Sequence, residues 1–343
     1  MNGMSDALSR EAIEAADPSG LHRDVLDQHL QVGDALWRFE SAGVPTLELP
    51  ADLIVCGMGG SAIGGDLAAA VLGERALRPL RTVRDYVLPA GLGPETLVLA
   101  ASYSGNTEET LACFEAAGEA GAPRVALTTG GRLAEAAREA GVPVIGEPSG
   151  MQPRAAVVYA VVGALGCAAA CGAAPPMRDE VEAGPELLRR LAETNSQPRE
   201  LALALHDRIP VFFGGGATAP VAFRWKTQVN ENAKRPAFSA VLPEADHNEI
   251  CGWQRPGGFA AVFLEDPAQD PRIRRRVDVT AEVIEAAGAP VHRVEAAGET
   301  PFERVMSLVM LGDLVAIYLA VLDGTDPAPV EVLERLKERL AQP

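Results

Sequence analysis

At 343 residues the chain is long enough for two domains, each with a sizeable core. Its 48% hydrophobic and 22% charged content excludes a disordered or collagen-like chain. With 47 acidic against 30 basic residues, a formal charge of −17 argues against nucleic acid or an anionic membrane as partner. The first element expected is a polar helical lead-in over residues 23–39. A short apolar run, residues 52–56, then meets the glycine-rich turn Gly57-Met-Gly-Gly-Ser61 and an Ala-rich helical segment. The same strand, tight loop and helix recur at residues 96–101, with the loop Ser102-Tyr-Ser-Gly-Asn-Thr107, and at 124–128. Such alternation predicts an α/β fold with a parallel sheet flanked by helices.

Residues 155–174 are long and apolar enough for a membrane span. Their Ala and Gly content, between Arg154 and the breaker pair Pro175-Pro176, instead favours a helix buried between layers of a soluble protein. A charged segment, residues 177–194, reads as a connecting helix, which divides the chain into 1–176 and 177–343. Beyond it the pattern resumes at 209–213 before Gly214-Gly-Gly216, then at 238–242 and 259–264, as a weak internal duplication would give. A long apolar helix over 301–322 and an amphipathic one over 330–340 close the chain. The five cysteines, Cys56, Cys113, Cys167, Cys171 and Cys251, show no metal-binding spacing, and residues 1–16 lack an apolar export signal. Thiols of this kind suit a reducing compartment, so a cytoplasmic location is expected.

The chemistry concentrates in a few places. Gly57 to Gly65 follows a strand and opens a helix, offering close backbone approach and unpaired amides to an anion or a sugar hydroxyl. It does not complete a dinucleotide fingerprint, because Ala62 stands at the third glycine position, and no P-loop lysine follows. Close strand-helix packing alone would also account for these glycines. Ser102, Ser104, Asn106 and Thr107 crowd before a helix, an arrangement suited to phosphate; ordinary N-capping with Glu108 or Glu109 is the alternative.

Gly-Met-Gly-Gly-Ser61 followed by Ser102-Tyr-Ser-Gly-Asn-Thr-Glu-Glu-Thr110 resembles the sugar isomerase (SIS) domain. Asn230-Glu-Asn-Ala-Lys234, Pro243-Glu-Ala-Asp-His-Asn-Glu249 and Gly252-Trp253 are similar to motifs of the bifunctional phosphoglucose/phosphomannose isomerases of archaea and bacteria. The resemblance implies two SIS domains per chain, each a flavodoxin-like three-layer sandwich, and aldose-ketose isomerisation of hexose 6-phosphates through a cis-enediolate. It further implies a homodimer whose active site is shared between subunits, with neither metal nor cofactor. By the same likeness Gly59, Gly60 and Ser61 would contact the sugar, and Ser102, Ser104 and Thr107 its phosphate. Pro153 and Arg154 would match the family's arginine segment, Glu231 its proton-transfer base, and His247 a ring-opening histidine supplied by the partner.

The residues themselves suit these roles. A carboxylate such as Glu231 can move a proton between adjacent carbons, although a surface pair with Lys234 would explain it equally. An imidazole such as His247 can shuttle a proton to a ring oxygen, with Asp246 or Glu249 orienting it, although a surface loop histidine fits the same pattern. The other four histidines, His22, His29, His206 and His292, read as solvated. Arg154 suits stabilisation of an enediolate, the alternative being a pair with Glu147. Tyr318 stands near the place where some members of the family carry a lysine, so that lysine's role does not transfer. The Arg272, Arg274, Arg275 and Arg276 cluster reads as a solvated face. A sugar-phosphate sensor without catalysis remains the rival function; no DNA-reading helix-turn-helix pattern supports a transcriptional version.

Overall fold

The computed structural model describes residues 7–194 and 196–340. Three helices, α1 (Arg10–Ala16), α2 (Leu21–Leu26) and α3 (Gln28–Ser41), precede the first sheet. The expected single lead-in helix is therefore broken. Asp27 ends α2 by donating its N–H to the carbonyl of Arg23, and its own carbonyl begins α3.

The first half then runs β1 (Asp52–Cys56), α4 (Gly59–Leu72), β2 (Leu80–Val83), β3 (Thr96–Ala101), α5 (Glu108–Glu119), β4 (Arg124–Thr128), α6 (Gly131–Glu139), β5 (Val144–Gly146) and α7 (Val157–Ala170). Helices α8 (Arg178–Glu193) and α9 (Ser196–Leu205) lead into the second half. That half comprises β6 (Ile209–Gly215), α10 (Ala219–Asn232), β7 (Phe238–Leu242), β8 (Phe259–Glu265), α11 (Pro271–Ala286), β9 (Val291–Glu295), α12 (Pro301–Leu322) and α13 (Glu331–Leu340).

Both sheets are parallel throughout, with orders β2-β1-β3-β4-β5 and β7-β6-β8-β9. In each half the opening strand lies second in its sheet and runs into a glycine in left-handed conformation, Gly59 at φ 53° and Gly216 at φ 58°. The topology thus repeats as the sequence pattern suggests, with one strand fewer in the second sheet.

Period-two alternation decides which face each strand residue serves. In the first sheet Leu53, Val55, Leu97 and Leu99 face inward, while Ile54, Cys56 and Val98 meet the outer helices. The inward faces of both sheets contribute to one continuous core that also takes in Trp225, Val309 and Tyr318. Four helices, α4 and α7 from the first half and α10 and α12 from the second, form the layer between the sheets. Two glycines set its spacing. A Cβ at Gly64 would lie 2.4 Å from the Ala160 Cβ, and one at Gly312 would lie 2.2 Å from the indole nitrogen of Trp225.

The helical stretches Pro153–Ala170 and Pro301–Leu322 are long and apolar enough to cross a membrane, yet both lie mostly buried within this core. Their hydrophobicity on all sides follows from being sandwiched between sheets. Helix α8 packs on α3 and also on α12, so the connecting helix touches both halves.

Candidate active site

In a sheet of order 2-1-3-4-5, the chain leaves β1 and β3 toward opposite sides, opening a crevice beyond their carboxyl ends. The Gly57 turn follows β1 and the Ser102 loop follows β3, so both expected binding segments lie at this crevice. A Cβ at Gly57 would lie 2.8 Å from the Ala101 carbonyl oxygen, which leaves room only for glycine there. Ser61 Oγ accepts from the Tyr103 N–H at 3.3 Å, joining the two segments. Within the loop, the Ser102 and Thr107 hydroxyls pair at 2.8 Å, and Ser102 Oγ accepts from the Gly105 N–H at 3.1 Å. Ser102 is buried and shapes the loop, whereas Ser104 is exposed. Thr107 and Met58 occupy the N-cap positions of α5 and α4, but neither side chain caps its helix. The capping alternative for the serine loop is therefore not realised, and first-turn amides of two helices face the crevice without a side-chain cap.

Pro153 and Arg154 lie directly on the start of α4: a Cβ at Gly60 would be 3.1 Å from both the Arg154 Cα and the Pro153 oxygen. The Arg154 side chain is only 4% exposed, and its donors go to neutral acceptors. Nε donates to Asn232 Oδ1 at 2.5 Å, and Nη2 to the carbonyls of Pro327 at 2.7 Å and Ala328 at 2.9 Å. Nη1 makes a longer bond to Gln152 Oε1, at 3.3 Å, and lies 3.8 Å from Glu231 Oε2. Burial pulls the guanidinium below its usual pKa while Glu231 opposes that shift. The arginine is thus held mainly by dipoles, with Glu231 a long ion-pair partner at 3.8 Å. The expected alternative partner, Glu147, does not pair with it.

Glu231 lies in the last turn of α10, with its side chain 29% exposed beside Arg154. Lys234 does not pair with the Glu231 carboxylate. Its Nζ donates to the main-chain oxygens of Glu231 at 2.6 Å and Pro327 at 3.0 Å. Lys234 has φ 56°, the one positive value at a non-glycine among the described residues. Two turns before Glu231, the buried Arg224 donates to Asp313 at 2.8 and 3.0 Å and to the Arg154 carbonyl at 2.9 Å. This pair fixes the helix of Glu231 to the backbone of Arg154. Among the described residues, no group of three or more His, Cys, Asp and Glu is placed to hold a metal ion.

Comparison with known proteins bears on this arrangement. The chain is 39% identical to the bifunctional phosphoglucose/phosphomannose isomerase of Caldicellulosiruptor bescii, over 84% of this chain and 89% of that protein. It is 37% identical to the enzyme of the same description from Aquifex aeolicus, over 84% of this chain and 90% of the relative. The chain belongs to the bifunctional phosphoglucose/phosphomannose isomerase family. A model of the bacterial phospho-glucose isomerase C-terminal SIS domain matches residues 194–340. A solved structure of a hypothetical protein from Thermus thermophilus shares the fold, with a TM-score of 0.77 at 19% identity, covering 98% of this chain and 94% of that one.

His247 ends the 3-10 turn Glu244–His247 beyond β7, exposed and bonded to neither Arg154 nor Glu231. Asp246 does not orient it, because its carboxylate accepts from Arg276 Nη1 and Thr280 Oγ1, each at 2.8 Å. That pair, with Arg272 on Asp270, fits the arginine cluster as a solvated face that offsets nearby acids. The other histidines are partly buried rather than free in solvent: His22 shares a 3.1 Å hydrogen bond with Tyr318 Oη, and burial lowers its pKa to about 4. Tyr318 itself lies buried in the core under the Arg199 guanidinium.

Several participants escaped the sequence reading. The asparagines beside Glu231 were expected to orient its carboxylate, but Asn232 instead accepts from Arg154 Nε and donates to Gln228, and Asn230 donates to the Arg235 carbonyl; Gln152 lay one residue before Pro153. The Pro327 and Ala328 carbonyls are main-chain groups, which side-chain identity does not announce.

Proposed function

We propose that the protein interconverts glucose 6-phosphate, mannose 6-phosphate or both with fructose 6-phosphate through a cis-enediolate, with no metal in the reaction. The observation that carries this reading is the Arg154–Glu231 arrangement, a buried cation held by neutral acceptors with a partly exposed carboxylate 3.8 Å away. In this reading Ser104, Thr107 and the uncapped amides of α5 bind the phosphate, with Ser102 shaping their loop. Gly59, Gly60 and Ser61 contact the sugar. Anchoring the non-reacting end aligns C1 and C2 with Glu231. Glu231 takes the proton from one carbon and returns it to the other. Arg154 Nη1 faces the same space and stabilises the oxygen on which negative charge develops, without reorganising during the step.

The reading assigns ring opening to His247 of a second copy in a homodimer; its exposure, with no bond to Arg154 or Glu231 in its own chain, supports that assignment. A cytoplasmic location and a division between residues 176 and 177 belong to the same reading.

The test is a coupled assay with glucose 6-phosphate and mannose 6-phosphate as substrates. Conversion to fructose 6-phosphate is expected, undiminished by a chelator, and Glu231→Gln should lose about 10²–10⁴-fold in kcat while still binding substrate. Binding without conversion would leave a sugar-phosphate sensor instead, and near-normal turnover by Glu231→Gln would remove that residue from the mechanism.

A further inference from the structure

We propose that Tyr103 is a positioning residue for the isomerisation, acting through Arg154 by stapling the turn that carries it. The inference deepens the isomerase reading and rests on it.

The Tyr103 hydroxyl sits inside the turn that follows β5. It donates to the Pro148 carbonyl at 2.8 Å and accepts from the Met151 N–H at 3.0 Å. Pro148 and Met151 stand at the i and i+3 positions of a turn containing Gly150, whose φ of 95° is open to glycine. Such a turn commonly closes by a direct bond from the i+3 N–H to the i carbonyl. Here the phenol oxygen stands between the two groups and bridges them. The turn passes at once into Gln152, Pro153 and Arg154, and Gln152 Oε1 is an acceptor for Arg154 Nη1, the nitrogen facing Glu231.

The main chain of Tyr103 fixes its other connections. Its N–H donates to Ser61 Oγ at 3.3 Å, and its carbonyl accepts from the Thr129 N–H at 3.1 Å and from Thr129 Oγ1 at 2.8 Å. One residue of the serine loop therefore ties together the glycine turn, the segment after β4 and the approach to Arg154. Its neighbour Ser104 belongs to phosphate binding and Ser102 shapes that loop, whereas its hydroxyl points to the segment that serves the reacting end. Removing that hydroxyl should leave the grip on phosphate intact and loosen the cation.

Tyr103→Phe tests this, since it keeps the ring and deletes the bridging atom. With glucose 6-phosphate, kcat is expected to fall about tenfold, the scale of a modest misplacement of a catalytic group, with KM changed less than about twofold. Inhibition by arabinonate 5-phosphate, whose carboxylate resembles the enediolate, should weaken in parallel with kcat/KM. Inhibition by glucitol 6-phosphate, which offers only the phosphate and hydroxyls, should not change. In a double-mutant cycle, Tyr103→Phe should add little in an Arg154→Lys background, because both changes disturb one interaction.

Unchanged kcat, a rise confined to KM, equal weakening of both inhibitors, or losses that multiply across the cycle would each overturn the proposal. A wild-type protein that converts no hexose 6-phosphate would instead overturn the isomerase reading beneath it, so the two failures are distinct.

Discussion

Arg154 shows how one side chain is kept both buried and chemically available. Guanidinium donors normally find a carboxylate in fork geometry, which would cancel the charge. Here an amide and two peptide carbonyls take that place, and the nearest acid stands back at 3.8 Å. The arginine was legible as a candidate because a cation at the opening of an apolar helix is an unfavourable placement that asks for a reason. Its partners were not legible, since they come from residues 232, 327 and 328, far along the chain. Glu147 shows the reverse case. It was read as a partner for Arg154, yet it lies buried with Oε2 unpaired, and burial pushes its pKa up to about 8 against the opposing pull of Arg38. The unfolded chain releases this proton near the ordinary glutamate value and the folded chain near pH 8. Its contribution to stability is therefore full below the ordinary value and disappears as pH rises through about 8. Melting curves at acid and alkaline pH should show the wild type losing stability relative to Glu147→Gln across that window; parallel pH profiles would show that the proton is not retained.

At the level of elements, most strands legible in the sequence are buried on both faces, with the partly exposed edge strand β7 the exception. Residues 52–56, 96–101, 124–128 and 238–242 match β1, β3, β4 and β7, and three of these four are almost wholly buried. The strands that escaped, Leu80–Val83, Val144–Gly146 and Val291–Glu295, lie at sheet edges, are short, and alternate partly exposed positions with few buried ones. An edge strand needs no continuous apolar run, so the periodic signal fails there. The helix of Glu231 depends on a different kind of contact. Trp225 lies directly against Gly312 of α12 and donates its indole N–H to Leu308 O at 2.8 Å. Gly312→Ala places a methyl into a fully buried ring and should cost about 1–3 kcal/mol by overpacking. A urea titration should show the lowered midpoint, and kcat should fall with it as α10 is displaced. A variant of unchanged stability would mean that the helices separate freely. The second sheet lacks a counterpart of the serine loop: β8 ends at Glu265, followed by Asp266, and their carboxylates pair with Arg293 and Arg304. The repeated topology thus carries a serine-rich loop after the third strand in the first half and an acidic, arginine-paired one at the matching place in the second.

Across the whole molecule, the duplication was legible from the strand-glycine units, and one apolar stretch, residues 155–174, was expected to lie between layers, whereas the layer it joins consists of four helices. What the sequence left hidden is how the halves divide the labour, because which helix faces meet across a core is set by long-range packing. The serine loop and Arg154 belong to the first half, while Glu231 and His247 belong to the second. Assigning His247 to a neighbouring copy leads to a direct measurement. Glu231→Gln and His247→Ala should each be nearly inactive alone, whereas mixing them through dissociation and reassembly should restore turnover, since one site of each mixed dimer has both groups. Absence of recovery in verified mixed dimers would place the histidine's work within its own chain. The two carbonyls at Pro327 and Ala328 also impose an order on biosynthesis. They leave the ribosome long after the loops they complete, so the guanidinium lacks its final tether while most of the polypeptide is already made. Competence should therefore arrive only at the end of synthesis, and a released chain truncated after Asp326, which keeps the whole of α12, should hold much of its fold yet turn over little sugar.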